Sequence, residues 1–293
     1  MILENELLQL ALGMAQAVLL LLCAPLVTGI VKKVKAWMQN RIGSSIWQEY
    51  YDIRKWWGKP TMLTPYTSIT FRLAPCVYFL TTFAAACMLP GFLGGQAGFG
   101  DVFVFVYLLA LGRFFMAVSS MDAATAFGGS REVYVAAFVE PVVMLAVLSN
   151  VLHTNSTSLA GMSLRTDEVN LTVAGVLTCI AFFLVLLAEN SRIPVDNPDT
   201  HLELTMIHEC MTLEYSGRLL ALIHWASQLK LLVFLVLFAM LYLPLDLPVV
   251  FKVLISAVAV GVVETLNNKM RLFKVRVYLA AAGLMLLLAV VAQ

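Results

Sequence analysis

The chain has 293 residues, 61% of them hydrophobic and 13% charged, with a net charge of +1 and a mean hydropathy of +0.88. Soluble domains are nearer half apolar and about a quarter charged, so the composition excludes an ordinary soluble protein. The balanced charge offers no basic surface for nucleic acid, and the five cysteines, Cys23, Cys76, Cys87, Cys179 and Cys210, contain no Cys-x-x-Cys pair, the spacing that iron–sulfur or zinc sites favour.

A membrane crossing needs about 20 apolar residues at 1.5 Å rise each. Eight stretches qualify: 6–31, 72–90, 101–120, 133–152, 170–189, 218–243, 248–266 and 276–292. The expected fold is all-α: a polytopic membrane protein with eight transmembrane helices, one interfacial amphipathic helix and a structured acidic cytoplasmic loop. The connections are too short for a separate soluble domain, so residues 1–293 are expected to form one integral membrane domain. Glu4 and Glu6 stand where a cleavable signal would be basic, and the first span is expected to stay.

The first loop is basic, with Lys32, Lys33, Lys35, Arg41, Arg54, Lys55, Lys59 and Arg72, and so is the last, with Lys269, Arg271, Lys274 and Arg276. Basic loops face the cytoplasm, which puts both termini outside and the acidic 189–217 loop inside. Within the first loop, residues 46–57 read as a helix. Ile46, Tyr50, Ile53 and Trp57 recur at helical spacing, and Glu49, Asp52, Arg54 and Lys55 mark the polar side. Aromatic residues beside lysine and arginine suit a helix lying in the interface. It reads either as a surface anchor or as the wall of a lateral opening.

The third span carries Arg113, a charge that should face the bundle interior. The loop after it offers Asp122 and Arg131 as a pair. The fourth span carries Glu140 before Pro141, which frees a backbone carbonyl. This acid reads equally as a proton-relay site and as a structural partner of Arg113. The polar loop 153–169 includes the sequon Asn155-Ser156-Thr157.

The stretch from Glu189 to Gly217 holds six carboxylates, Glu189, Asp196, Asp199, Glu203, Glu209 and Glu214. Asn197-Pro198-Asp199 is a helix-start signal, and a short helix is expected over about 199–211. His201 and His208 lie two turns apart on it, and their pattern is not His-Glu-x-x-His, so a proton-handling or charge-sensing surface is the better reading than a metal site. Lys230 sits near the middle of the sixth span and Glu264 near the cytoplasmic end of the seventh. The intramembrane charges thus gather toward the acidic loop, which suits a polar path entering from the cytoplasm. No inverted repeat supports the further alternative of a stand-alone secondary transporter.

Several motifs together resemble the complex I subunit 1 family and its relatives in membrane-bound NiFe hydrogenases and formate hydrogenlyase. They are Arg41-Ile42-Gly43 with Gln48, Asp52 and Lys55; Arg113-Phe114-Phe115 with Asp122 and Ser130-Arg131-Glu132; Val139-Glu140-Pro141; Glu189, Arg192, Pro194 and Asp196; Glu203-Leu204; Glu214-Tyr215-Ser216-Gly217; and Asn267 with Arg271. Ser44 and Val195 depart from the family pattern, and His201 interrupts the acidic run. With Val-Glu-Pro, these features are more similar to the hydrogenase branch. The resemblance implies a non-catalytic membrane subunit that holds a soluble arm of iron–sulfur and NiFe hydrogenase-like subunits beside antiporter-like membrane subunits. The NiFe centre and iron–sulfur clusters would then sit in partners, with no cofactor in this chain. Glu140, Glu189, Arg192, Asp196, Asp199, Glu203 and Glu214 become expected proton- or ion-coupling residues, joined by the charges read above: Arg113, His201, His208, Glu209, Lys230 and Glu264. Arg41, Gln48, Asp52, Arg131 and Tyr215 become expected partner-docking residues. The alternative within the same fold is a quinone site, flanked by the 46–57 helix.

Overall fold

The computed structural model describes residues 2–64, 67–90, 100–122, 125–164, 172–198, 206–243 and 247–292, with side chains from residue 9 onward. Among them the chain is helical, apart from one isolated bridge between Asp101 and Ser158. The first helix, α1 (Ile2–Met38), has 37 residues, about 55 Å at helical rise. It is longer than a hydrocarbon core of about 30 Å, so its lysine-rich last turns extend past the apolar layer. A short α2 (Gln48–Trp57) follows, then α3 (Ile69–Met88), whose N-cap Ser68 accepts the Thr70 N–H at 3.1 Å. Next come α4 (Val102–Asp122) and α5 (Ala126–Thr154), which runs through Pro141 and ends on a left-handed Asn155. A six-residue α6 (Leu159–Leu164) lies in the polar loop after α5. Then follow α7 (Val173–Glu189), α8 (His208–Thr212), α9 (Gly217–Tyr242), α10 (Val249–Leu266) and α11 (Leu272–Val291).

Seven helices, α1, α3, α4, α5, α9, α10 and α11, are long and apolar enough to cross a membrane. The stretch expected as an eighth span, α7, is apolar but has 17 residues, about 25 Å. The helix expected over 199–211 appears in its last part as α8; residues 199–205, with Asp199, His201 and Glu203, lie outside the described residues.

The bundle is built around α9. Every residue from Gln228 to Ala239 is buried, because α1, α3, α7 and α10 pack around it. A helix apolar on all sides satisfies that position. Small residues allow close approach where loop meets bundle. A side chain at Gly128 would meet the Cys210 backbone at 3.0 Å, so glycine lets the start of α5 lie on α8. Gly217 has φ +57°, and a Cβ there would lie 2.5 Å from the Pro60 carbonyl. Glycine alone suits both the conformation and the space, and this seats the start of α9 against the first loop.

Candidate functional site

Four helices bring charges to one buried point. Arg113 of α4 lies 3.2 Å from Glu132 of α5 through Nε, and 2.6 Å from Glu189 at the end of α7 through Nη2. Lys230 of α9 reaches the other oxygen of Glu189 at 2.7 Å. Arg113 Nη2 and Lys230 Nζ also each donate to the Glu189 backbone carbonyl at 3.0 Å. All four residues are 3–6% exposed. Two cations face two carboxylates, and a carbonyl at a helix C-terminus carries partial negative charge. That balance is what keeps four desolvated charges in one place. Of the two readings open for Glu140, the place of structural partner to Arg113 is taken by Glu132 and Glu189. Glu140 lies two turns along α5 from Glu132, half-buried, at the edge of the same cluster.

A second layer ties the acidic loop to the bundle ends. Arg192 pairs with Glu264 of α10 at 3.3 Å, and Lys35 of α1 reaches the other Glu264 oxygen at 3.4 Å. Asp196, 1% exposed, pairs with Lys269 at 2.6 Å. Its carboxylate also accepts the backbone N–H groups of Asn197, Ile207 and His208 at 2.9–3.1 Å. Asp196 therefore pins both described ends of the loop, and the His208 backbone serves as its donor. A third buried acid, Glu49 of α2, accepts from Lys32 and from Gln228, each at 2.6 Å.

Cavities join these layers. One of about 60 Å³ is lined by Arg113, Glu132, Glu189, Lys230, Arg192, Asp196 and Glu209, among others. Arg113 Nη1, Glu132 Oε2 and Asn190 Oδ1, buried and without a hydrogen bond to a described residue, belong to lining residues of this space, which has room for a few waters. A larger cavity of about 490 Å³ lies under α2 and the loop and shares Arg192, Pro198, Glu209 and Ser227 with the first. Its wall includes Lys32, Glu49, Asp52 and the stacked pair Trp56–His224, with ring centroids 4.5 Å apart. On the far side of Lys230 the character changes. Phe234, Phe238 and Tyr242 follow it at four-residue intervals along α9 and pack with Phe182, whose ring lies 4.8 Å from Tyr242 and about 6.4 Å from both phenylalanines. This half of the bundle interior is aromatic and closely packed.

A family model described as NADH dehydrogenase matches residues 10–292. The chain belongs to that family, the membrane proteins like complex I subunit 1. It is 37% identical over 239 residues to hydrogenase-4 component C of Escherichia coli K12, covering 79% of this chain and 75% of the relative. It is 31% identical to formate hydrogenlyase subunit 4 of the same organism, covering 78% and 76%. A solved structure of the membrane-bound sulfane sulfur reductase, an archaeal respiratory membrane complex, has a chain that superposes with TM-score 0.81, covering 96% of this chain and 99% of that one, at 17% identity. That likeness shows a shared fold. With its seven long apolar helices, this member of the complex I subunit 1-like family is a multi-pass membrane protein.

The sequence-predicted residues fall into groups. Arg113, Glu189 and Lys230 share the central cluster; Arg192, Asp196, His208, Glu209 and Glu264 surround it from the loop side. Glu214 is half-buried beside Tyr215. Of the family-motif residues expected at a docking surface, Arg41 is exposed beside Gln39, Gln48 donates to Asp52 at 3.1 Å, and Arg131 donates to the Met206 carbonyl at 2.9 Å. Asp122, expected to face Arg131, accepts instead from Thr70 at 3.3 Å. Tyr215 is 4% exposed, stacked on Phe71 at 4.1 Å, and its hydroxyl donates to the Phe71 carbonyl or the Ser119 hydroxyl. Burial pushes its phenol up to about 12. The chain uses this ring to hold its own loop. Glu132, Glu49, Lys35, Lys269 and Gln228 were not singled out as site residues. Glu132 carried a signal, since it falls eight residues, about two turns, before Glu140 on one helix face. The basic-loop lysines read only as topology markers, because a membrane-facing lysine and one folded back onto an acid look alike in sequence. Among the described residues, no His, Cys, Asp and Glu side chains converge as a metal-ligand set.

Proposed function

We propose that this chain is the membrane anchor and coupling subunit of a complex I-like NiFe hydrogenase or formate hydrogenlyase complex. The observation that carries the reading is the Arg113–Glu132–Glu189–Lys230 cluster. It lies directly beneath the acidic loop, is joined to it by a polar cavity, and meets an aromatic, closely packed interior on its other side. Such a network suits a device that responds to charge or movement at the loop and passes the response sideways within the membrane. It does not suit a pore through this chain. The names of the two Escherichia coli relatives, a hydrogenase component and a formate hydrogenlyase subunit, support the hydrogenase setting. In this reading the NiFe centre and the iron–sulfur clusters belong to partner subunits seated on the loop and on the surface around Arg41, Gln48, Asp52 and Arg131. Antiporter-like subunits lie alongside in the membrane and move H⁺ or Na⁺. Asp199, Glu203 and His201 complete the loop's coupling surface. The chain crosses the bacterial inner membrane eight times, with α7 as the short crossing, α2 in the interface, both termini outside and the acidic loop in the cytoplasm, a reading supported by the basic first and last loops.

The test is purification of the chain with its partners in mild detergent, followed by metal analysis and assays with hydrogen, formate and quinone. Nickel, iron and hydrogen turnover are the expected result. The cavity of about 490 Å³ favours one second reading, a quinone site, since pockets for such ligands run to roughly 300–1,000 Å³. Inhibitor-sensitive quinone reduction without nickel would establish that reading in place of the first.

A further inference from the structure

We propose that the lateral cavity between α4 and α5 receives a lysine or arginine side chain from a transmembrane helix of a neighbouring membrane subunit, with Glu140 as its ion-pair partner. The cavity measures about 260 Å³. Phe114, 61% exposed, and Val133, 46% exposed, flank its mouth, so it opens on the outside of the bundle, while the buried Arg113 and Glu132 line it on the bundle side. Ala117, Ala136 and Ala137 form its wall, and small residues let a second helix come close in a membrane.

Charge selects the occupant. Inside the bundle Arg113 and Lys230 are matched by Glu132 and Glu189, two against two, through contacts of 2.6–3.2 Å. Glu140 is the surplus acid. It sits near the middle of the 29-residue α5, is half-buried, and makes no ion pair or hydrogen bond with a described residue. A carboxylate facing hydrocarbon is costly, and acids at that depth face a cavity or a partner charge. A basic side chain arriving from outside supplies the missing charge, and its aliphatic stem lies along Phe114 and the alanines. The proposal rests on the membrane-subunit reading only for the existence of a neighbouring helix.

The test places a photo-crosslinking phenylalanine derivative at Phe114 in the assembled complex, with mass spectrometry of the linked peptides and metal analysis of the same preparation. The expected product joins Phe114 to a membrane-spanning peptide of another subunit with a lysine or arginine within one turn of the linked residue. Glu140→Gln should lower that yield more than tenfold, since loss of one member of a buried charge pair weakens association by roughly thirtyfold or more, and Glu140→Asp should retain most of it. If Glu140→Gln prevents assembly, Glu140→Lys combined with an acidic substitution at the mapped partner residue should restore it. Crosslinks to lipid alone, a linked peptide without a basic residue, a yield unchanged in Glu140→Gln, or failure of the charge exchange would each overturn the proposal. A basic partner helix found in a preparation without nickel or iron would overturn the hydrogenase reading and leave this one standing.

Discussion

At the scale of single residues, the cluster works by mutual neutralisation, and its members should not be separable. Lys230→Met leaves the second Glu189 oxygen without its cation in a site 5% exposed. Removing one member of such a buried pair costs about 3–5 kcal/mol, whereas replacing both members can be nearly neutral. Thermal unfolding in detergent should therefore show Lys230→Met strongly destabilised and Glu189→Gln with Lys230→Met less so than the sum of the two single changes. Simple additivity would mean that the two side chains do not act as a pair. Tyr215 gives a pH signature at the loop. Its buried phenol titrates above the ordinary value of 10, near 12, so the neutral ring favours the folded loop. That contribution is complete below pH 10 and is lost as pH rises from about 10 to about 12. Tyr215→Phe removes the hydroxyl contacts to Phe71 and Ser119, at a cost of about 1 kcal/mol, and should abolish that share of the alkaline sensitivity seen in limited proteolysis of the loop.

Among the elements, the connection into α9 and the short α7 carry the most specific expectations. Gly217 combines a positive φ with a backbone neighbour 2.5 Å from a would-be Cβ, so Gly217→Ala should cost more than the 1–2 kcal/mol of left-handed strain alone. Ser216 bonds both backbone groups of Met62 at 2.8–3.1 Å, so the damage should appear as faster protease cleavage near Met62 as well as in the acidic loop. Cleavage unchanged at Met62 would show that the two loops are not joined through this turn. α7 spans about 25 Å, less than the usual hydrocarbon thickness. It packs on α5, α9 and α11, and those neighbours shield its ends. Cysteines introduced at Ser156 and at Asn197 should then label from opposite sides of the membrane. Labelling of both from one side would make α7 a re-entrant helix and reverse the topology of everything after it.

Across the whole molecule, the parts legible in sequence were those set by local rules. Apolar run length located the long helices because the membrane demands it, and the amphipathic period of 46–57 located α2. Arg113, Lys230 and Glu189 stood out because charge in an apolar run needs a reason. What could not be read was pairing. Arg113 meets Glu132 and Glu189 because α4, α5 and α7 converge at the acidic-loop end of the bundle, and no spacing along the chain encodes that convergence. The same holds for Lys269 on Asp196 and Gln228 on Glu49, contacts between segments 73 and 179 residues apart. The stacking of Tyr215 on Phe71, 144 residues away along the chain, is equally absent from any local pattern.

In the proposed role, the buried cluster links redox chemistry in partner subunits to ion movement in neighbouring membrane subunits. The most direct test reconstitutes the purified complex in liposomes and follows electron transfer and ion uptake together, for the natural sequence and for an assembled Glu189→Gln variant. Electron transfer that continues while ion uptake per electron collapses is the result expected. Undiminished ion uptake per electron in the assembled variant would contradict the claim.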